Sequence, residues 1–371
     1  MHKRIITTLV LLLMVAVVAV GCGDKNEQAQ LPVFKVGYGF SSHEAAFMVA
    51  AKEGKSISDK VYLEEVVERQ LYRLHADGKA IADLELVTVT GGNQGMQLMS
   101  QGHIDFATGS SAALMAAVDK GGTMKGLCPI HTGGIAVVAL EEFPANNWEE
   151  FLAVVNASKE PIKVGYHSPT SAPIILFEKV VKEAGLSTSG DPNNTSADFL
   201  VVDLKDTKNL VPALNSKQVD AWVGPSPNPE VAVTTGVGKI VLDMKDLPPK
   251  GQWDDFPCCV LSTSAEMIAK HPRIVEAMVQ VMTDAANYAM QYPEKLVAIM
   301  VDWAGVPEAA ARINAVKYTT DNNDKFIAGE GIIYEALQAT DKINDRFKDV
   351  PFAEAAEQLF DFSFINEVLG K

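Results

Sequence analysis

Short apolar runs alternate with longer amphipathic stretches over most of the chain. Phe34 to Tyr38 (FKVGY) reads as a strand, Glu44 to Lys52 as a helix, Leu84 to Val89 as a strand, Gln94 to Ser100 as a helix, Ile104 to Ala107 as a strand and Ala112 to Asp119 as a helix. Strand–helix alternation of this kind predicts a parallel α/β sheet. After Pro144 and the Asn146-Asn147 pair the grammar restarts, with Asn147 a cap for a helix over Trp148 to Val155. Strands follow at Ile162 to Tyr166, Phe199 to Val202, Ala221 to Val223 and Lys239 to Leu242, with helices over Ile174 to Ala184 and Thr207 to Asn215. Gly185 to Asn194 is rich in Gly, Ser and Asn and reads as a surface loop. From Ser264 onward the pattern is helical: Ala265 to Lys270, Ile274 to Gln291, Glu294 to Ala304, Glu308 to Lys317 and Ile332 to Phe347, with Pro272, Pro293, Pro307 and Pro351 at or near helix starts. Two α/β units and a helical tail predict two lobes, the tail packing back on the first. Within the first unit, between the helix ending at Lys52 and the strand starting at Leu84, stands a charged segment, Lys55 to Asp83. In it Leu63, Val66, Val67, Leu71 and Leu74 fall close to one face of an amphipathic helix over Tyr62 to His75. That helix is either a lid or partner surface, or a peripheral cover for the first lobe.

The first residues read MHKRIITTLVLLLMVAVVAVGC. Lys3 and Arg4 make a basic start, and Leu9 to Val20 form an uncharged apolar stretch of 12 residues, short for a bilayer span and suited to a signal sequence. Ala19-Val20-Gly21-Cys22 resembles the lipobox of bacterial lipoproteins, in which a small residue precedes the cysteine that is acylated. A plain secretory signal, or an uncleaved anchor with a chance cysteine, is the alternative. Residues 1–21 are then a lipoprotein signal peptide, Cys22 the lipidation site, and residues 22–32 a polar tether (DKNEQAQ at its centre). More than one acyl chain on Cys22 would make anchoring stable.

Composition narrows the classes. The chain has 371 residues, 47% hydrophobic and 21% charged, the balance of a packed globular protein of two or three domains. No long apolar run follows the first 20 residues, which argues against a polytopic membrane protein. The net charge is −15, and cleavage before Cys22 would take it to −17. Such a surface repels phosphate backbones, so no nucleic-acid partner is expected. Four cysteines in this length are no disulfide scaffold. No repeat with a period of about 20 to 50 residues is visible, which argues against solenoids and propellers.

In parallel α/β units ligands bind beyond the carboxyl ends of strands, where helix N-termini present free N–H groups. A small polar cluster stands at each such place: Ser41-Ser42-His43, Gly91-Gly92-Asn93, Gly109-Ser110-Ser111, His167-Ser168-Pro169-Thr170-Ser171 and Gly224-Pro225-Ser226. Each could be only a helix cap. Together they offer hydroxyls and backbone donors without fixed charge, which suits a small polar or anionic ligand in a cleft between lobes. The candidate ligand-binding residues are Ser41, Ser42, His43, Gly92, Asn93, Ser110, Ser111, His131, Thr132, His167, Ser168, Thr170, Ser171, Pro225 and Ser226. His131 and Thr132 join them because His131-Thr132-Gly133-Gly134 borders the apolar run Ile135 to Leu140, which could cross between lobes. No HxxxH or HxH spacing occurs, so no metal and no cofactor are expected. Cys258-Cys259 could be a structural disulfide partner of Cys128, a thiol pair near the ligand, or two small buried hydrophobes. No Ser-His-Asp spacing, P-loop, kinase signature or nucleophile elbow is present, and no catalytic residue is assigned.

In order, VGYGFSSHEAAFMVAAKEG, VTVTGGNQGMQLMSQGHIDFATGSSAALMAA, VGYHSPTSAPIILFEKVVKEAGL, LVPALNSKQVDAWVGPSPNPEVA and VLSTSAEMIAKHPRIVEAMVQVMTDAANYAMQYPEKLVAIM make the chain resemble a known family. These are the periplasmic solute-binding proteins of ABC transporters for nitrate, alkanesulfonates and taurine, and for thiamine pyrimidine precursors. The resemblance covers Val33 to about Ala304. It implies a type II periplasmic-binding-protein fold, an α/β architecture of two lobes with a hinge and a helical tail. Lobe 1 is then residues 33–138 plus 257–371 and lobe 2 residues 139–256, with the changes of lobe near Val137 to Leu140 and Phe256 to Leu261. The partners implied are a small-molecule ligand, an ABC permease and, through Cys22, the outer face of a membrane; a monomer is expected. The family usually carries a short segment and a strand where Lys55 to Asp83 stands here. Its pyrimidine-precursor branch, biosynthetic enzymes included, has a cysteine run at the position of Cys258-Cys259. This keeps two alternatives open: a pyrimidine-synthase-like enzyme using those thiols and a histidine, or a sensor docking on a membrane receptor.

Overall fold

The strand-sized apolar runs assemble into two sheets. The computed structural model describes residues 30–371, and the signal sequence, Cys22 and most of the tether lie outside the described residues. In chain order the strands are β1 (Val33–Tyr38), β2 (Val61–Val67), β3 (Leu71–Ala76), β4 (Lys79–Thr88), β5 (Phe106–Ser110), β6 (Met124–Gly133), β7 (Ile135–Ala139), β8 (Ile162–Tyr166), β9 (Thr188–Ser189), β10 (Phe199–Asp203), β11 (Ala221–Pro225), β12 (Lys239–Asp243), β13 (Pro257–Ser264) and β14 (Val316–Tyr318). The helices are α1 (Ala45–Glu53), α2 (Gly92–Ser100), α3 (Ser111–Asp119), α4 (Trp148–Ala157), α5 (Ala172–Glu183), α6 (Leu210–Asn215), α7 (Asn228–Thr234), α8 (Ala265–Lys270), α9 (Pro272–Gln291), α10 (Pro293–Ala304), α11 (Glu308–Arg312), α12 (Asp324–Ala339), α13 (Phe352–Leu359) and α14 (Ser363–Leu369).

The first sheet runs β14-β6-β13-β5-β1-β4-β3-β2 and the second β12-β7-β11-β8-β10-β9. β1 is parallel to β4 and β5, and β8 is parallel to β10 and β11. Parallel neighbours need helical crossovers, so the carboxyl ends of these strands and the N-termini of the following helices gather on one edge of each sheet. This is the two-lobe type II periplasmic-binding-protein fold, with the C-terminal helices that the pattern called for.

Four readings of the sequence need correction. The helix expected over Tyr62 to His75 is instead the hairpin β2–β3, continued by β4 as an antiparallel meander. Burial along β3 alternates residue by residue, with Tyr72, Leu74 and Ala76 inside, while Val66 and Val67 are exposed. The period is therefore two, not 3.6. Asp77 and Gly78, both at positive φ (52° and 74°), form the two-residue turn that leads from β3 into β4, a sequence signal of its own. The helix expected over Glu308 to Lys317 stops at Arg312, and Val316–Tyr318 adds to β6 as an edge strand. The helix expected over Ile332 to Phe347 is Asp324–Ala339, capped by the Asn323 side chain at the Phe326 N–H. Residues past its end are held by Asp119, whose carboxylate accepts from the N–H groups of Asn344, Asp345 and Phe347. Finally, the tail packs on more than the first lobe. α9 and α10 cover α1, but α11 lies against α7 and α12 against α5, both of the second lobe.

The chain passes from the first sheet to the second at Gly133-Gly134, a few residues before the Val137 to Leu140 stretch where the change was expected. Ile135–Ala139 already pairs with β11 and β12. Both glycines have positive φ (70° and 73°), so the turn between sheets is made where a side chain would be strained. The return runs from β12 through residues 244–256 to β13.

Candidate functional site

Three helix N-termini open on the space between the lobes. Their N-cap residues are Gly91 (α2), Ser110 (α3) and Ser171 (α5), and none makes a side-chain capping bond. All three line a cavity of about 330 Å³ with Asn93, His167, Ser168, Thr170 and Lys205. It shares Thr90, Gly91, Ser110, His167 and Ser171 with a second cavity of about 430 Å³, whose walls include Ser41, His43, Glu44, Lys208, Pro225, Cys258 and Cys259. The two are one cleft in two parts, of the size of small-molecule sites.

The cleft is bordered by buried polar atoms without a protein partner. These are Ser110 Oγ, His167 Nδ1, Ser168 Oγ and Thr170 Oγ1. Buried polar groups are normally hydrogen-bonded, so this set from both lobes gives the cleft wall unused hydrogen-bonding capacity. Burial holds His167 down at about 4, so at neutral pH its imidazole is uncharged. Burial also pushes the Glu44 carboxyl up to about 7, against the pull of Thr108 and His43.

The candidate residues separate into groups. Ser41, His43, Asn93, Ser110, His167, Ser168, Thr170, Ser171 and Pro225 line the cleft, whereas Gly92 stands next to the lining residue Gly91. Ser42, Ser111, His131 and Ser226 are buried behind it. The Ser42 carbonyl accepts from the Tyr318 hydroxyl, and Ser226 Oγ donates to Glu230 at 2.6 Å, so these two hold structure together. Thr132 borders a different cavity of about 300 Å³, around Gly133-Gly134 and Trp253. Lining residues that pattern reading passed over include Thr90, Thr207, Lys208 and Asn228 and the turn 304–307 after α10. Thr207 and Lys208 follow β10 and were legible by the strand-end rule; the turn after α10 reaches the cleft only through tail packing.

In the wall of the cleft is a cluster with no counterpart in local spacing. His43, His131, Cys258 and Cys259 are all buried, and their donor atoms lie within 4.8 Å of one another. Cys258 Sγ is 3.5 Å from His43 Nδ1 and 3.6 Å from Cys259 Sγ, which is 3.8 Å from the same Nδ1. On a regular strand successive side chains face opposite ways. Here Pro257 opposes Thr132 and Cys259 opposes His131, so Cys258 is the extra residue of a bulge, and bulges re-aim side chains. Cys128, Cys258 and Cys259 are free thiols, and Cys128, opposite Leu261, is pushed up by burial. The hydrogen bond from Cys259 is the largest influence holding the Cys258 thiol well below its usual range, and His43 and His131 add to it against burial. Cys259 is pushed up by the same partner. The sequence expectation of no metal rested on missing short-range motifs, but here the donors converge from three distant segments.

A family model described as the NMT1-like family matches residues 25–303. The chain belongs to the NMT1-like family. Uncharacterized protein MJ1180 of Methanocaldococcus jannaschii is 32% identical over 133 residues, which are 35% of this chain and 91% of that protein. Among solved structures, this NMT1-like chain is similar to the ligand-binding component of an ABC-type import system from Staphylococcus aureus, solved with zinc bound. The TM-score is 0.69 at 18% identity, over 91% of this chain and 98% of the other. The nitrate-binding protein NrtA from Synechocystis PCC 6803 matches with a TM-score of 0.69 at 14% identity, over 92% and 89% of the two chains. The aliphatic sulphonate-binding protein SsuA from Escherichia coli matches at 0.62 and 13%, over 90% and 92%. Identities this low establish a shared fold for this member of the NMT1-like family.

Proposed function

We propose that this chain captures a small polar or anionic solute between its two lobes and passes it to an ABC importer, by binding and not by catalysis. The observation that carries the reading is the set of unpartnered buried polar atoms contributed to one cleft from both lobes. Three N-termini face the same space, and their free N–H groups and partial positive charge favour an anion. The importer reading draws support from structural neighbours whose names say they bind nitrate or sulphonates or belong to ABC import systems. A lipid on Cys22 would hold the chain at the outer face of a membrane as a monomer beside its permease; among the described residues no helix is long and apolar enough to cross one.

The test is a thermal-shift panel of nitrate, sulfonates, carboxylates and pyrimidines, followed by calorimetry on the solute with the largest shift. A true ligand at 100 times its Kd stabilises the native state by about 2.7 kcal/mol. It is recovered chemically unchanged after incubation. A flat panel together with conversion of any member would sink the binding reading in favour of an enzyme. Cys22→Ala is expected to move the chain from the membrane fraction to the soluble fraction, with the solute shift intact.

A further inference from the structure

We propose that His43, His131, Cys258 and Cys259 form a four-ligand site for a divalent metal ion of the zinc class, in the wall of the cleft. The geometry is that of a coordination shell before the ion enters. Tetrahedral zinc with Zn–S of about 2.3 Å and Zn–N of about 2.05 Å places two sulfurs about 3.8 Å apart and a sulfur and a nitrogen about 3.6 Å apart. The observed triangle of Cys258 Sγ, Cys259 Sγ and His43 Nδ1 has sides of 3.6, 3.5 and 3.8 Å. His131 supplies the fourth corner. Its ring is 4.0 Å from that of His43 between centroids, it is fully buried, and neither of its nitrogens has a hydrogen-bond partner.

The surrounding contacts suit a ligand set. His43 Nε2 donates to the Gly134 carbonyl at 3.0 Å, which leaves Nδ1 as the free, lone-pair nitrogen facing the sulfurs. A metal-bound imidazole commonly has its second nitrogen held in this way. Two thiolates and two neutral imidazoles carry a charge of −2, which a divalent ion cancels, and cancellation matters where all four side chains are out of water. An S₂N₂ donor set of tetrahedral dimensions selects zinc over the hard cations magnesium and calcium, which take oxygen ligands.

Position gives the site a consequence. His131 lies on β6 just before the Gly133-Gly134 passage, and the cysteines open β13 just after the return from the second lobe. An ion bound there ties both ends of the first lobe's connection to the second, together with the turn after β1 that carries His43. The site is independent of the solute reading, because metal content and solute shift are separate measurements.

The experiment takes the full chain, strips it with a chelator, dialyses it against zinc chloride and measures bound metal by elemental analysis. A Cys258→Ser/Cys259→Ser double variant and His131→Ala are treated alike. About one equivalent is expected in the parent chain, with affinity lowered at least about tenfold in His131→Ala and retention lost in the double variant. Cobalt(II) in the parent chain is expected to give the intense visible bands of a tetrahedral site with thiolate charge transfer, and zinc to protect the two thiols from a disulfide-exchange reagent. These last two readings need only the parent chain, so they decide the matter even if the double variant does not fold. Failure to retain zinc, a cobalt spectrum without thiolate charge transfer, or undiminished retention in a folded double variant would overturn the proposal.

Discussion

At the scale of single residues, three positions carry the argument. Ser110 belongs to both parts of the cleft, is 9% exposed and has an unpartnered hydroxyl. Ser110→Leu removes a donor and fills ligand space. If the hydroxyl meets an anion, that hydrogen bond is worth about 1.5–3 kcal/mol, so calorimetry should show at least a tenfold loss of affinity with the melting point of the free chain little changed. Gly134 has φ of 73°, and a Cβ there would stand 2.7 Å from Val316 Cγ2, 3.1 Å from His43 Nε2 and 3.2 Å from Ser226 Oγ. Gly134→Ala therefore adds left-handed strain to overpacking, and a loss of about 2–4 kcal/mol should appear in the urea midpoint. Glu330, on α12, is fully buried, and its carboxyl is pushed up to about 8 chiefly by burial, with Ser111 pulling the other way. A folded-state value above the ordinary 4.5 means that the native chain holds this proton more tightly than the unfolded chain. Its contribution to stability is complete below about pH 4.5 and is lost as pH rises through about 8. Glu330→Gln, neutral at every pH, should flatten that part of the stability–pH curve measured by denaturant midpoints between pH 5 and 8.

At the scale of elements, the meander β2–β4 lines neither part of the cleft, so the structure favours a peripheral extension of the first sheet over a lid. Gly78→Val puts a β-branched residue at φ of 74° in the two-residue turn. It should cost about 1–2 kcal/mol in thermal or urea unfolding while leaving solute affinity unchanged. A drop in affinity would restore the lid. The same segment shows where sequence reading ends. Ile162–Tyr166 and Ala265–Lys270 were legible to the residue, because one ends in glycine-tyrosine before a polar turn and the other starts at a serine cap that accepts from Met267 N–H. Leu63, Val66, Val67, Leu71 and Leu74 satisfy a helical face on paper, and only the Asp77-Gly78 turn and the β-branched valines distinguish the hairpin. The cleft was legible because parallel topology carries every strand-end cluster to the same edge. The His43/His131/Cys258/Cys259 cluster was not, because its donors come from the turn after β1 and from two paired strands far apart in the sequence, and the bulge that turns Cys258 toward Cys259 leaves no mark in local spacing.

At the scale of the whole described chain, any closing motion of the lobes must be absorbed at Gly133-Gly134, along residues 244–256, and where the tail meets the second lobe. A solute favours closure only by its differential affinity for the closed form, so contacts that already fix the lobes set how much of that affinity is left for binding. The tail contact has a definite anchor. Glu230 of α7 is 2% exposed, and its Oε1 accepts from Ser226 Oγ at 2.6 Å and from the Ala315 N–H, just before β14, at 3.1 Å. Lys342, beyond α12, reaches Glu178 of α5 at 3.1 Å, a second and more exposed link. Glu230→Ala leaves a hydroxyl and an N–H buried without an acceptor, at about 1–3 kcal/mol each, whereas Glu230→Gln keeps a carbonyl in the same place. The alanine variant should therefore unfold at lower urea, and small-angle scattering of the solute-free chain should report a wider spread of lobe arrangements that the solute narrows again. The glutamine variant should restore most of both. If alanine and glutamine behave alike, the carboxylate charge and not the hydrogen-bonded tether is what Glu230 contributes. If neither changes the scattering, the tail does not restrain the hinge, and the two glycines and the return segment govern it alone.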